Sequence, residues 1–223
     1  MIITIDGPAG SGKSTAARLL AQKLNASFLD TGAMYRAVTL AAMQASVNMN
    51  DEHELLGVIK TNIFEFSVND DEMSVRINGI DFTEQIRDPQ VTANARYIAS
   101  CPNVREKLVE MQRRFAETRQ KIVTEGRDQG TVAFPDADIK FYLVADSAER
   151  AKRRQAQLRT KVSDQTLEQI QKAIEERDKS DQNRAVGPLK PAEDAVVIDT
   201  THLSIDGVVQ KLLSYTKDPP YHK

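Results

Sequence analysis

Eight residues near the start of the chain, Gly7-Pro8-Ala9-Gly10-Ser11-Gly12-Lys13-Ser14, fit the pattern G-x-x-x-x-G-K-[ST] and follow a short apolar run, Ile2 to Ile5. This pattern demands a strand, a tight glycine loop and a helix in that order. The glycines let successive backbone N–H groups turn toward one anion. Lys13 is placed to reach the β and γ phosphates of a nucleotide, and the Ser14 hydroxyl to ligate Mg²⁺. After the loop, Ala17, Leu20, Ala21 and Leu24 recur at helical spacing, so the loop is expected to open a helix whose positive end faces the phosphates.

Four further apolar runs read as strands: Ser27 to Leu29, Lys121 to Thr124, Ile139 to Val144 and Ala195 to Ile198. Helical patterns separate them, which predicts an α/β doubly wound fold: a five-stranded parallel sheet flanked by helices, with ligands at the carboxyl ends of the strands. Each strand runs into polar residues there, at Asp6-Gly7, Asp30-Thr31-Gly32, Glu125-Gly126-Arg127-Asp128, Asp146 and Asp199-Thr200. Between the second and third runs, Phe64, Phe66 and Val68, then Val75 and Ile77, alternate with polar residues around Asn69-Asp70-Asp71. That alternation predicts an antiparallel hairpin lying outside the parallel sheet, within an insert over about residues 60–90. Two prolines in Asp218-Pro219-Pro220-Tyr221 end any helix running from Ile205 to Tyr215, and a frayed tail is expected there.

At 223 residues and 40% hydrophobic, the chain is long enough for one full core with a small appendage, so a single domain over residues 1–223 is expected. A net charge of −2 argues against a nucleic-acid binder, and five tyrosines, seven phenylalanines and no tryptophan offer no obvious stacking platform. The lone Cys101 forms no intrachain disulfide, which favours a reducing, cytoplasmic setting. No apolar leader precedes the first strand and no uncharged run reaches membrane-spanning length, so a soluble protein is expected.

Thr31 and Arg36 lie where the second strand hands over to a helix and can both face the cleft, the arginine suited to a multi-oxygen anion. After the third strand, the Glu125 to Asp128 segment presents an acid toward the Mg²⁺ region and Arg127 toward phosphate. Arg150, Arg153 and Arg154 share one face of the next helix, with Arg159 and Lys161 just beyond. In the following helix the stripe Leu167, Ile170, Ile174 continues as Arg177, Asp181 and Arg184, a face expected to turn from core to polar cleft. His53, His202 and His222 are isolated. The inventory holds a phosphate cradle and many arginines, with no Ser/His/Asp set, and suits phosphoryl transfer, which needs positioning and charge neutralisation above all. An acceptor that is itself a phosphate needs no general base. Arg36, Arg127, Arg177 and Arg184 could hold such an acceptor while Arg150, Arg153 and Arg154 close over the donor as a lid spanning about residues 147–186, excluding water.

Several blocks in order resemble the bacterial cytidylate kinases of the nucleoside monophosphate kinase group. They are IDGPAGSGKST, LDTGAMYR, Val104-Arg105, GRDQGTV, AERAKRR, ERDKSDQNRAVGPL and AEDAVVIDTTHLSI. The resemblance implies transfer of the ATP γ-phosphate to CMP or dCMP with Mg²⁺, by a monomer bound to no membrane or nucleic acid. It extends the phosphate loop from Gly7 through Thr15, and makes Lys13, Arg127, Arg153, Arg177 and Arg184 catalytic and Arg150 and Arg154 donor contacts. On the acceptor side it implies Arg36 at the phosphate, Thr31, Arg105 and Asp128 near the base, and Asp181 at the sugar. The chain departs from the family pattern at Arg96, where a serine touching cytosine is usual, and at Glu125, where Asp usually precedes Gly-Arg-Asp. A P-loop kinase for UMP, AMP or a hydroxylated metabolite would share every phosphate feature. A GTPase switch would want an Asn-Lys-x-Asp guanine motif, which is absent.

Overall fold

In the computed structural model, which describes residues 1–69, 72–158 and 165–217, strand β1 (Ile2–Asp6) occupies the middle of a parallel sheet. Its neighbours are β6 (Ile122–Gly126) and β7 (Ile139–Val144), with β2 (Ser27–Asp30) and β8 (Val196–Asp199) at the edges, giving the order β2-β6-β1-β7-β8. The register pairs Asp6 with Gly126 on one side and with Tyr142 on the other, so the carboxyl ends of the three central strands open on one rim. The expected doubly wound five-stranded sheet is therefore present, with Ile139–Val144 as predicted and the other four strands within two residues of their predicted limits.

Alternation along the strands divides the core between the two faces of the sheet. Ile3, Ile5 and Val123 pack under α1 (Lys13–Leu24) and α8 (Ile205–Lys217) with Leu20, Val209 and Leu212. Leu29 and Ile122 face α2 (Thr31–Gln44), α3 (Glu52–Thr61), α4 (Pro89–Ser100) and α5 (Pro102–Glu117). Burying roughly 100 Å² of apolar surface per core side chain contributes about 2–3 kcal/mol each. Helix starts follow side-chain chemistry: Asp30 caps α2 by accepting from Ala33 N at 2.9 Å, and Asp51 caps α3.

Strands β3 (Phe64–Asn69), β4 (Glu72–Ile77) and β5 (Ile80–Asp81) form a separate antiparallel sheet. The predicted hairpin thus gains a short third strand, because the Asn78-Gly79 turn sends the chain back along β4 and pairs Ile77 with Ile80. Met73, Val75 and Ile77 of β4 are buried in the core shared with α2. Asp70 and Asp71 of the predicted turn, Arg159 and Lys161, His222 and the Asp218–Tyr221 tail lie outside the described residues. Among the described residues no helix is long and apolar enough to cross a membrane.

Helices α6 (Ser147–Leu158) and α7 (Leu167–Gln182) pair around Ala151, Ile170 and Ile174. A capping box starts α7, with Thr166 and Gln169 satisfying each other's backbone N–H groups. The predicted stripe needs two corrections. The residue that continues Ile170 and Ile174 into the interior is Asp178, while Arg177 beside it is exposed. The helix also ends at Gln182, capped at Asn183, so Arg184 belongs to the following loop.

Candidate active site

The P-loop sits against the end of β7. Gly7 has φ 144°, and a Cβ there would lie 2.1 Å from the Leu143 carbonyl oxygen, so the turn is closed to any other residue. Lys13, the first residue of α1, is 4% exposed and donates to the Pro8 carbonyl at 2.8 Å. Burial, reinforced by the Arg127 charge, pulls its pKa down to about 7, against the opposing pull of Glu125 and Asp6. The Ser14 hydroxyl donates to Glu125 Oε1 at 2.7 Å. Burial, and then the neighbouring Asp30 carboxylate, raise Glu125 above the ordinary carboxylate range.

Three contacts shape the segment after β6. Thr31 donates its hydroxyl to the Glu125 carbonyl at 2.7 Å, joining the start of α2 to β6. Asp6, at the end of β1, accepts from the backbone of Gln129 at 2.9 Å and Gly130 at 2.8 Å. Those N–H groups open a π-helical turn, Gln129–Ala133, so Asp6 secures the loop that presents Arg127 and Asp128. Burial lifts Asp6 to about 7 despite the two hydrogen bonds. Sequence reasoning did not single out Asp6, although its place between an apolar strand and the P-loop is the signal for it.

Arg127 projects across the cleft, and its Nε lies 2.9 Å from Asp181 Oδ2 on α7. Burial works against its charge, yet Asp181 and Glu125 raise its pKa. Arg184 returns from the loop, with Nε donating to the Asp181 carbonyl at 3.3 Å and Nη2 3.5 Å from Asp181 Oδ1. Burial alone would lift Asp181, but Arg127, Arg184 and Arg177 hold it below the ordinary range. Arg177 keeps an exposed face toward the open cleft while its charge is crowded by protein and by Arg127, which lowers it to about 10. It remains a cation at neutral pH, because even a pKa of about 10 leaves it protonated there. One carboxylate thus holds Arg127 and Arg184 and feels the charge of Arg177; the sequence stripe joined Arg177, Asp181 and Arg184 but did not include Arg127, and Arg184 arrives from a loop. Arg36 pairs instead with Asp30 at 3.1 Å, leaving its buried Nε without a hydrogen bond.

A second cluster lies one step further out. Arg105 on α5 forms a buried ion pair with Asp128, donates to the Ala99 carbonyl at 3.2 Å and stacks its guanidinium 5.6 Å from the Tyr35 ring centroid. Gly187, at φ 61°, packs directly on this pair. Arg96 is exposed on α4, donates to the Tyr97 hydroxyl at 3.1 Å and lies over that ring, with no bond to Arg105 or Asp128. A cavity of about 290 Å³ opens beside Arg105 and Arg184, with Ser100, Asn183 and Val186 in its walls.

The arginines of α6 divide. Arg150 spends its N–H groups on the carbonyls of Ala145 at 2.9 Å and Ala9 at 3.0 Å and on the carboxylate of Asp178. Arg153 donates to Thr200 Oγ1 at 3.1 Å and to the carbonyls of Thr200 at 2.6 Å and Thr201 at 3.3 Å, in the loop after β8. Arg154 is exposed, and its charge is felt at Arg177. The arrangement can bind two anions face to face: one in the ring of P-loop N–H groups, the other among the arginines of Asp181.

The family model for cytidylate kinase matches residues 3–218. A protein named Cytidylate kinase from Desulforamulus reducens is 47% identical over 215 residues, covering 96% of this chain and 96% of that one. Proteins of the same name from Bacillus cereus and Lactobacillus johnsonii are similar at 44% and 43% identity over 212 residues, covering 95% of this chain and 94% and 92% of theirs.

Proposed function

The chain belongs to the cytidylate kinase family, and on that premise we propose that its cleft transfers the γ-phosphate of ATP to CMP or dCMP, giving ADP and CDP or dCDP. The observation that carries this reading is the meeting of a P-loop with Arg127, Arg177 and Arg184 around the one carboxylate of Asp181. A hydroxyl acceptor would need a base to ionise it; a monophosphate arrives ionised and needs cations.

The donor phosphates lie against the loop from Gly7 to Thr15, on its backbone N–H groups other than at Pro8, with Lys13 neutralising charge on the moving group. Arg127, Arg177 and Arg184 hold the acceptor phosphate in line, and Arg36 adds charge at the mouth. Asp181 takes sugar hydroxyls, while Arg105, stacked on Tyr35, and Asp128 meet the pyrimidine edge with Thr31 close by. Arg153, reaching from α6 to the Thr200 loop, lines the donor side, and Arg154 closes from the same helix. Ser14 and Glu125 supply one hydroxyl and one carboxylate oxygen 2.7 Å apart. That set fits Mg²⁺, which takes one or two protein oxygens and fills its shell with water and phosphate. Held there by Ser14 and Glu125, Mg²⁺ would supply positive charge to offset that of the phosphates. The chain works as one catalytic unit with an insert at about residues 60–90 and a lid at about 147–186. The single buried Cys101 fits a cytoplasmic enzyme.

The test is ADP release from ATP with each ribo- and deoxyribonucleoside monophosphate in turn, with and without EDTA. CMP and dCMP are expected to be the best acceptors, and chelation to abolish turnover. A preference for AMP would overturn the acceptor assignment, and turnover in EDTA would overturn the role of Mg²⁺.

A further inference from the structure

Arg150 and Asp178 stand apart from the other charged residues of the cleft because both are nearly withdrawn from solvent, at 6% and 8% exposure. An arginine placed to grip phosphate keeps its fork free; this one does not. Its Nε is bound to the Ala145 carbonyl at the end of β7, and its Nη1 to both the Ala9 carbonyl of the P-loop and the Asp178 carboxylate. A Cβ on Gly10 would lie 3.1 Å from the Arg150 Cβ, so the loop backbone rests on the stem of this side chain. Arg150 therefore touches the donor cradle from behind.

Asp178 occupies a core position of α7, in helical register with Ile170 and Ile174. A carboxylate there is costly: one of its oxygens, Oδ1, is buried with no hydrogen-bond partner. An apolar residue would pack the same register with less cost, and buried ion pairs are commonly no more stabilising than hydrophobic replacements. What the acid adds is a connection. Asp178 directly follows Arg177 and lies three residues before Asp181, about 4.5 Å along a rigid helix. Asp181 grips Arg127 and Arg184. The Asp178 charge also reaches Arg127, whose pKa it helps to raise.

We propose that Arg150 and Asp178 are positioning residues whose ion pair ties the P-loop to α7, so that nucleotide in the cradle sets the arginines that receive the acceptor. The inference rests on the kinase reading above. Filling the P-loop orders Ala9 and Gly10, Arg150 carries that order to Asp178, and one turn of α7 delivers it to Arg177 and Asp181. Coupling of this kind is reciprocal, so acceptor must also tighten donor binding.

The experiment measures CMP affinity by calorimetry with and without a saturating non-hydrolysable ATP analogue, on the wild type, Asp178→Asn and Arg150→Lys. In the wild type the analogue should tighten CMP binding at least about fivefold, at the low end of measured couplings. Asp178→Asn keeps the shape and removes the charge, and should bring that ratio below about twofold, with kcat falling more than KM rises. Arg150→Lys keeps a cation but cannot serve both carbonyls and the acid, and should lower the ratio too; it decides the matter if Asp178→Asn melts below the assay temperature. A purely structural pair would lower the melting temperature and leave the ratio intact, and that result overturns the proposal. Failure of the wild type to phosphorylate CMP would instead strike the kinase reading.

Discussion

Lys13 stands in the phosphate loop with a pKa well below that of a free amine, so its response to bound nucleotide should be countable in protons. In the free protein burial and the Arg127 charge lower its pKa to about 7. The amine is then about 90% protonated at pH 6, 50% at pH 7 and 10% at pH 8. A single phosphate charge about 3 Å away, at an effective dielectric near 20, is worth about 5 kcal/mol. Raising the pKa by two units takes only about 2.7 kcal/mol. Bound nucleotide should therefore hold Lys13 fully protonated up to pH 8, and binding should draw in about 0.1, 0.5 and 0.9 proton at pH 6, 7 and 8. Calorimetric titration of Mg-ADP in two buffers of different ionisation enthalpy gives the count directly. Asp6 and Glu125 also shift with the charge in the cleft, so the quantity to read is the wild type minus Lys13→Met. A difference near zero at pH 8, or one that does not change with pH, would refute the reasoning and mean that the lysine is already charged in the empty cradle.

Three further outcomes are expected. Asp6 has a folded-state pKa near 7, above its unfolded value, so its stabilising contribution is complete below about pH 4 and is lost as pH rises through 7. Asp6→Asn should remove that slope, improving relative to wild type by about 3 kcal/mol between pH 5 and pH 8 in urea melts; a constant offset between the two curves would contradict it. Asp181→Ala loosens Arg127 and Arg184 together and should lower kcat/KM for CMP and dCMP by about 10²-fold. A further penalty of about 1–3 kcal/mol should fall on CMP alone through its 2′-hydroxyl, and equal losses for both nucleotides would exclude the sugar role. Gly187→Ala would set a Cβ 2.1 Å from Asp128 Oδ2 and 2.2 Å from Arg105 Nη2 at a left-handed backbone position. Its KM for CMP should rise at least about tenfold with a smaller change in kcat, and an unchanged KM would show that the Arg105–Asp128 pair does not read the acceptor.

The cradle, the five strands and the hairpin were legible in the chain because each is decided locally. Glycine spacing dictates a turn, short apolar runs dictate strands, and alternation dictates a half-buried hairpin; none of these needs a distant partner. The α7 stripe was legible only as far as Ile174. Periodicity there could not tell whether Arg177 or Asp178 turns inward, since both lie near the same face and the choice depends on Arg150 waiting across the gap. Nor could it foresee that Arg184 leaves the helix and still reaches Asp181. The donor that each acid meets was decided by the tertiary structure: the Ser14 hydroxyl for Glu125 across 111 residues, the Gln129 backbone N–H for Asp6 across 123, and Arg127 for Asp181 across 54. Local sequence sets where a charge stands on its own element, within a turn or two of backbone. Which opposite charge it meets depends on the strand order that brings β6 and β7 to either side of β1, and on distances of about 3 Å that only a folded sheet can hold.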